Sequence, residues 1–304
     1  MANEKSTAAL VAELTKWKLS LAVAFSAVTG YLICDSASDT GLQGVVTGTG
    51  LQEVAIGTAL FTVAAGVFLL SAGAAALNQY TERKSDALMA RTAGRPLPSG
   101  RMTPGTAARV ALVLIVTGSI LLGYSGLLPL MLGLANVLLY NVVYTGLKKV
   151  TAFAIIPGAL VGAVPPLIGY TAAGGVMTDT VILLFALFMF LWQMPHFWLL
   201  LVRYGSEYEK AGIRTIYGSM SAGQIDRLIL LWIAGSSMLL WILTGIFMPF
   251  TVPVAILLLG LNIAFIAAFR KIIKASDAET RPRNAFILIN SFSLLIMIIL
   301  IAAA

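Results

Sequence analysis

Nine apolar runs, each long enough to cross a bilayer, constrain this chain more than any other feature. They cover approximately 18–34, 54–77, 107–125, 127–145, 152–172, 180–201, 228–247, 251–269 and 285–304. Crossing roughly 30 Å of hydrocarbon takes about 20 helical residues. Backbone in that layer must satisfy its own hydrogen bonds, which leaves helices or a closed barrel. A barrel needs short alternating strands, and the pattern holds none. The expected fold is an all-α polytopic membrane protein of nine transmembrane helices, one domain over 1–304. The first run is one of many and has no small-residue cleavage site close behind it, so it reads as a retained span rather than a signal peptide.

Composition excludes the main competitors. Hydrophobic residues make up 59% and charged residues 11%, against roughly 45–50% and 25% in soluble domains. That is too little polar surface to coat a water-facing enzyme. Cys34 is the only cysteine and His196 the only histidine. An intrachain disulfide, a multi-cysteine metal site and a two-histidine metal site are therefore excluded.

The charges are sorted. All 20 lysines and arginines fall before the first run or between runs two and three, four and five, six and seven, and eight and nine. The other loops carry only acids: Asp35, Asp39, Glu53 and Asp179. Positive charge stays on the cytoplasmic side, so the expected orientation has the amino terminus inside and the carboxyl terminus outside. The net charge of +7 is first a topology signal and in part a candidate counter-charge for an anionic ligand. It is not a nucleic-acid footprint, and no nucleic-acid partner is expected.

Two inside segments are long and unusual, 78–106 and 203–226. They read as cytoplasmic loops after helices two and six, the first 17 residues forming a cytoplasmic amino-terminal segment. In the first loop Asn78, Glu82 and Asp86 recur every fourth residue. If helix two continues that far, they form one stripe about 12 Å long. Three oxygen-bearing side chains on a stripe suit Mg²⁺, which takes a few carboxylates, water and phosphate oxygens. Arg83, Lys84, Arg91, Arg95 and Arg101 follow, and guanidinium groups match phosphate geometry. Acids for a metal beside bases for phosphate suggest a diphosphate site; a solvated helix end with i, i+4 pairs is the plainer alternative.

The second segment offers Arg203, Glu207, Tyr208, Glu209, Lys210 and Arg214. Gly205 and Gly212 allow tight turns, so this loop could fold over a site. Within the spans, WQMPHFW at 192–198 places His196 among aromatic rings beside Pro195. An ionisable residue in a bilayer reads as functional by default, here as a contact for a flat aromatic ligand or its metal; a satisfied interhelical histidine is the alternative. Helix five, with Pro157, Pro165, Pro166 and several glycines, is expected to pack closely or bend around a cavity. Asn141, Tyr144, Lys148 and Lys149 close helix four.

Together these motifs resemble the UbiA superfamily of intramembrane prenyltransferases, and within it the haem-farnesylating branch. The resemblance runs from 14–32 onward through the N-x-x-x-E-x-x-x-D stripe, MARTAGRPLPSGRM at 89–102, YNVVYTGLKKVT at 140–151, GALVGAVPPLIGY at 158–170, WQMPHFW at 192–198 and EYEKAGI at 207–213. The stripe marks the superfamily; the PHFW and AGI segments select the branch. Glu82 stands where the superfamily usually has Asp, and the second segment lacks a paired D-x-x-x-D.

The resemblance implies nine helices around a central cavity and transfer of farnesyl from farnesyl diphosphate to a vinyl group of haem B. Water is added and diphosphate released, with Mg²⁺ as cofactor. It implies Asn78, Glu82 and Asp86 as metal-holding residues and Lys148 and Glu207 as further catalytic candidates. Arg91, Arg95, Tyr144, His196, Arg203 and Tyr208 are the implied substrate contacts. The bacterial cytoplasmic (inner) membrane is the implied location, with a haem A synthase or terminal oxidase assembly as the receiving partner. A quinone precursor, chlorin or glycerol phosphate as acceptor, a transporter and a non-catalytic haem carrier are the competing expectations.

Overall fold

The computed structural model describes residues 6–37, 50–216, 219–247, 252–274 and 280–304. Asp39 lies outside these residues, as do the side chains of Asp35 and Glu53. Among the described residues every long element is helical, and nine helices are long and apolar enough to span a membrane. A short α1 (Thr7–Thr15) leads into α2 (Trp17–Ala37). There follow α3 (Gly50–Asp86), the single turn α4 (Ala90–Ala93), α5 (Pro104–Tyr124), α6 (Leu127–Leu138) and α7 (Ile155–Ala172). The chain closes with α8 (Thr180–Lys210), α9 (Ala222–Phe247), α10 (Val252–Lys274) and α11 (Thr280–Ala303).

The expected spans are present, but several helices outrun the apolar runs that revealed them. At 37 residues, α3 is about 55 Å long, well beyond the hydrocarbon layer. It carries Asn78, Glu82 and Asp86 on its last turns. Arg83 and Lys84 sit in the final turn, where cations favour the helix dipole. The Thr92 hydroxyl donates to the Asp86 carbonyl at 2.8 Å, satisfying one of the orphan carbonyls at the end. Likewise α8 continues to Lys210. Residues 203–210 are therefore helix rather than loop, and 211–216 with 219–221 form the described part of the connection. Gly205, expected to turn, is buried inside α8. The turn is made by Gly212, at φ +72°.

Packing explains the glycine- and proline-rich α7. A Cβ on Gly169 would collide with the Ala27 carbonyl of α2, and one on Gly30 with the Pro166 carbonyl. The two helices touch backbone to backbone, as small residues allow in membranes. Pro165 has no N–H to return to the carbonyl of residue 161. That carbonyl accepts instead from Asn136 Nδ2 of α6 at 3.1 Å, the kind of replacement a bilayer demands. The main core joins α7, α8, α9 and α11 around Phe185, Phe188, Ile229, Leu243 and Ile289. The outer faces remain apolar: Leu112, Val116 and Ile120 form an exposed stripe on α5, which suits lipid and not water.

Candidate active site

A chamber of about 370 Å³ opens inside the bundle, within the size range of small-molecule sites, about 300–1,000 Å³. Its walls come from α2, α3, α6, α7, α8 and the 211–216 connection. Charged groups gather at one end, around the last turns of α3; the remainder is mostly apolar.

Asn78, Glu82 and Asp86 all line it, at 2%, 5% and 2% exposure. The four-residue spacing does what it promises, because α3 is continuous. Asn78 Nδ2 donates to Thr145 Oγ1 at 3.0 Å, leaving its carbonyl oxygen as the group it can offer a ligand. Glu82 pairs with Lys148. Asp86 Oδ2 accepts from Arg95 Nη1 at 2.7 Å. Each buried carboxylate thus has a base against it, which avoids the cost of a stranded charge.

Two carboxylates and one amide oxygen on successive turns fit a magnesium ion shared with a phosphate ligand. They do not make a protein-only cage: among the described residues no three of His, Cys, Asp or Glu gather to hold a metal.

The route from α6 to α7 is shaped for this site. Helix α6 widens into a π turn over Leu139–Tyr144 before a last α turn, Thr145–Leu147. The Thr145 hydroxyl reaches back to the Tyr140 carbonyl at 2.9 Å, and Asn141 Nδ2 donates to the Val137 carbonyl at 3.1 Å. Such π turns cluster at functional sites. This one stacks Tyr140 on Tyr144, with ring centroids 5.8 Å apart, and brings both rings and Lys148 to the chamber. Tyr144 also meets Phe197 of α8 at 6.0 Å.

From α8, Gln193, His196, Phe197 and Tyr208 line the chamber. The His196 ring sits 4.5 Å from Phe286 of α11 and 5.7 Å from Trp192, with Nδ1 buried and unpartnered. Trp192 Nε1 donates to the Ile289 carbonyl at 3.0 Å, tying α8 to α11 behind it. Arg214 also faces the chamber, and its backbone N–H bonds the Lys148 carbonyl at 2.9 Å. The 211–216 connection therefore covers the site, as the glycine at 212 suggests.

Two sequence candidates stand apart. Glu207 does not line the chamber; its Oε2 accepts from the backbone N–H of Arg91 at 3.1 Å. It fastens the α4 turn from the side of α8. Arg203 lies in a smaller recess with Leu199, Tyr204, Pro282 and Phe286, which it shares with Arg91. Arg91 borders both spaces, its guanidinium 4.8 Å from the Tyr204 ring and 5.8 Å from Tyr208.

One base was missed by sequence reasoning. Lys16 joins α1 to α2 in the left-handed region, at φ 48°, and lines the chamber beside Asn78, Glu82 and Asp86. Burial, reinforced by the Arg95 charge and opposed by Glu82, pushes its amine down to about 7. Its strained backbone is the only local signal, and the sequence does not display it. Gln193 was also missed, hidden in an apolar run. So was Asn136, whose partner lies on another helix.

Residues 43–299 match the model of a family described as the UbiA prenyltransferase family. A protoheme IX farnesyltransferase of Geobacter sulfurreducens is 46% identical over 144 residues, covering 47% of this chain and 53% of that one. A protoheme IX farnesyltransferase of Cytophaga hutchinsonii is 36% identical over 205 residues, 67% of this chain and 66% of that one. The matched stretches thus span about half to two thirds of these curated relatives. In three dimensions the chain resembles a UbiA homolog from Archaeoglobus fulgidus bound to GPP and Mg2+, with a TM-score of 0.66 at 12% identity over 97% of both chains. At that identity the likeness shows the fold alone.

Proposed function

The chain belongs to the UbiA prenyltransferase family, and from that premise we propose that it transfers farnesyl from farnesyl diphosphate to a vinyl group of haem B, adding water to give haem O. The chain is an integral membrane protein; the reading places it in a bacterial cytoplasmic membrane, amino terminus and charged chamber end inside. A haem A synthase or oxidase assembly would be the receiver.

One observation carries the proposal: a mostly apolar chamber has at one end an acid stripe on α3 already matched by bases from two other segments. Diphosphate fits the charged end and a farnesyl chain the apolar remainder. Asn78, Glu82 and Asp86 would hold magnesium, which when bound supplies Lewis-acid neutralisation of the leaving diphosphate. Lys148 and Arg95 take up the negative charge that grows as the C1–O bond breaks. Arg91 adds to them, steadied by Glu207 and two tyrosine rings. The Tyr144 and Phe197 rings, 6.0 Å apart in the chamber wall, would flank the allylic carbon, and the apolar walls would keep bulk water from the cation. The ring of His196, beside Phe286 and Trp192, offers a flat contact for the macrocycle. Arg214, which lines the chamber, and Arg203, in the recess beside Phe286, are the cations assigned to its propionates in this reading. The printed names of the relatives above support haem as acceptor.

The test is incubation of purified protein with farnesyl diphosphate, Mg²⁺ and either haem B or 4-hydroxybenzoate, followed by mass analysis. Farnesylated, hydrated haem is expected. Prenylated benzoate would move the chain to another acceptor; absence of diphosphate release would favour a transporter or a haem carrier. In the haem arm, His196→Ala is expected to weaken haem binding, read from its absorption spectrum, and turnover together. An unchanged spectrum and rate would remove His196 from the site.

A further inference from the structure

The transfer proposed above needs water twice over: kept away while the allylic cation exists, then delivered once to the haem side chain. Most of the chamber wall is apolar, but one place on α8 brings polar groups together. Gln193 lines the chamber from the middle of α8, and among the described residues its carboxamide makes no hydrogen bond to protein. An unpartnered amide inside a span is costly unless something polar meets it. It lies against Gly162 of α7, where an added Cβ would be 2.5 Å from Gln193 Nε2. The carbonyl of residue 162 would be returned an N–H by residue 166, which is proline and has none. The carbonyl of the residue that the amide packs against is therefore left without its helical partner. Asn136 Oδ1, on the helix facing the same stretch of α7, is also buried without a partner. His196 is three residues on from Gln193, hence on the same face of α8. A bound water needs about two to four polar partners, and this is where the apolar half of the chamber supplies them.

We propose that Gln193, with the Gly162 carbonyl, holds the water that hydrates the farnesylated haem intermediate, and that the His196 imidazole receives its proton. The inference rests on the haem-farnesylating reading. The farnesyl C1–O bond breaks and diphosphate leaves with the electron pair. The vinyl π pair then forms the bond from its terminal carbon to C1, leaving a cation on the inner vinyl carbon. A lone pair of the held water closes on that carbon, and the surplus proton passes to neutral His196. Without a held water the same cation loses a proton from the adjacent carbon and gives a diene, one water lighter than haem O.

Gln193→Leu, Gln193→Glu and Gly162→Ala are compared with the unaltered protein, using haem B, farnesyl diphosphate and Mg²⁺ in heavy-oxygen water, with products resolved by mass. The unaltered protein gives haem O carrying heavy oxygen. Gln193→Leu is expected to raise the ratio of diene to haem O about tenfold, the rate equivalent of one hydrogen bond lost at the transition state. Gln193→Glu, which still holds water, restores haem O. Gly162→Ala, which pushes the amide aside without removing it, moves the ratio in the same direction by less. An unchanged ratio in both Gln193→Leu and Gly162→Ala overturns the proposal. So does loss of all farnesyl transfer in both without diene, which makes Gln193 an acceptor-binding group. If the unaltered protein releases diphosphate but leaves haem unprenylated, the haem reading itself fails, and that result is distinct from either.

Discussion

The ends of α3 and α8 look alike in sequence: each carries acids, bases and tyrosines past the apolar run on the same side of the membrane. In the structure they play different parts. The α3 end turns three polar side chains inward, one per turn, and each is 5% exposed or less. The α8 end sends Tyr208 to the chamber but leaves Glu207 holding a backbone N–H and Arg203 in a separate recess. Spacing makes the difference. Residues four apart stay on one face, so Asn78, Glu82 and Asp86 point together. Glu207 and Glu209 cannot. One segment carries the charges to which the proposed chemistry is assigned; the other braces and covers them.

Substitutions can break that contrast. The largest effect is expected for Asp86→Ala, about 10³-fold slower Mg²⁺-dependent diphosphate release. It removes a proposed metal oxygen and strands Arg95. Full activity in this variant would end the metal assignment. Lys148→Met should cost about 10²-fold in the same assay, since it removes a leaving-group cation and unpairs Glu82. Glu207→Ala should cost only about tenfold, through misplacement of Arg91. Glu207→Gln, whose carbonyl still accepts from the Arg91 N–H, should recover most of that. If Glu207→Ala were as damaging as Asp86→Ala, the two segments would be chemical equals after all.

The smallest expected effect is a change of pH dependence. With its amine near 7, Lys16 is a cation below that pH and loses its proton above it. Affinity for inorganic diphosphate should therefore weaken as pH rises from 7 to 9, and binding in that range should take up a proton. Calorimetry in buffers of different ionisation enthalpy measures this uptake. Lys16→Met should abolish the part due to this residue. Stability runs the other way. Between about 7 and the ordinary lysine value of 10.5 the unfolded chain binds the extra proton, so the contribution of Lys16 to stability grows with pH. An unaltered proton uptake in Lys16→Met would remove this residue from the charged end.

Much of this molecule is legible locally. The spans follow from hydropathy, because the bilayer punishes every exposed backbone group. Their ends are misjudged because hydropathy stops at the interface while backbone hydrogen bonding does not. That is why α3 runs on to Asp86 and α8 to Lys210. Gly205 illustrates the reverse error: a turn-forming residue buried within a helix. The π turn at 139–144 leaves no periodic trace, since its support comes from the hydroxyl of Thr145 and the amide of Asn141.

By itself the sequence determined that the chain is a helical membrane protein with its bases on one side, and that one stripe of three residues shares a helix face. Those are consequences of composition and of periods within single helices. Only the tertiary structure decided which charges meet. Lys148 reaches Glu82 across 66 positions of sequence, and Glu207 reaches the Arg91 backbone across 116. Lys16, between α1 and α2, and Gln193, from the middle of α8, join the same chamber. No local pattern encodes these meetings, because they depend on how α2, α3, α6, α7 and α8 pack around one space, and that is set by shape: the backbone contact at Gly30 and Gly169, the carbonyl freed at residue 161, and the widened turn before Lys148.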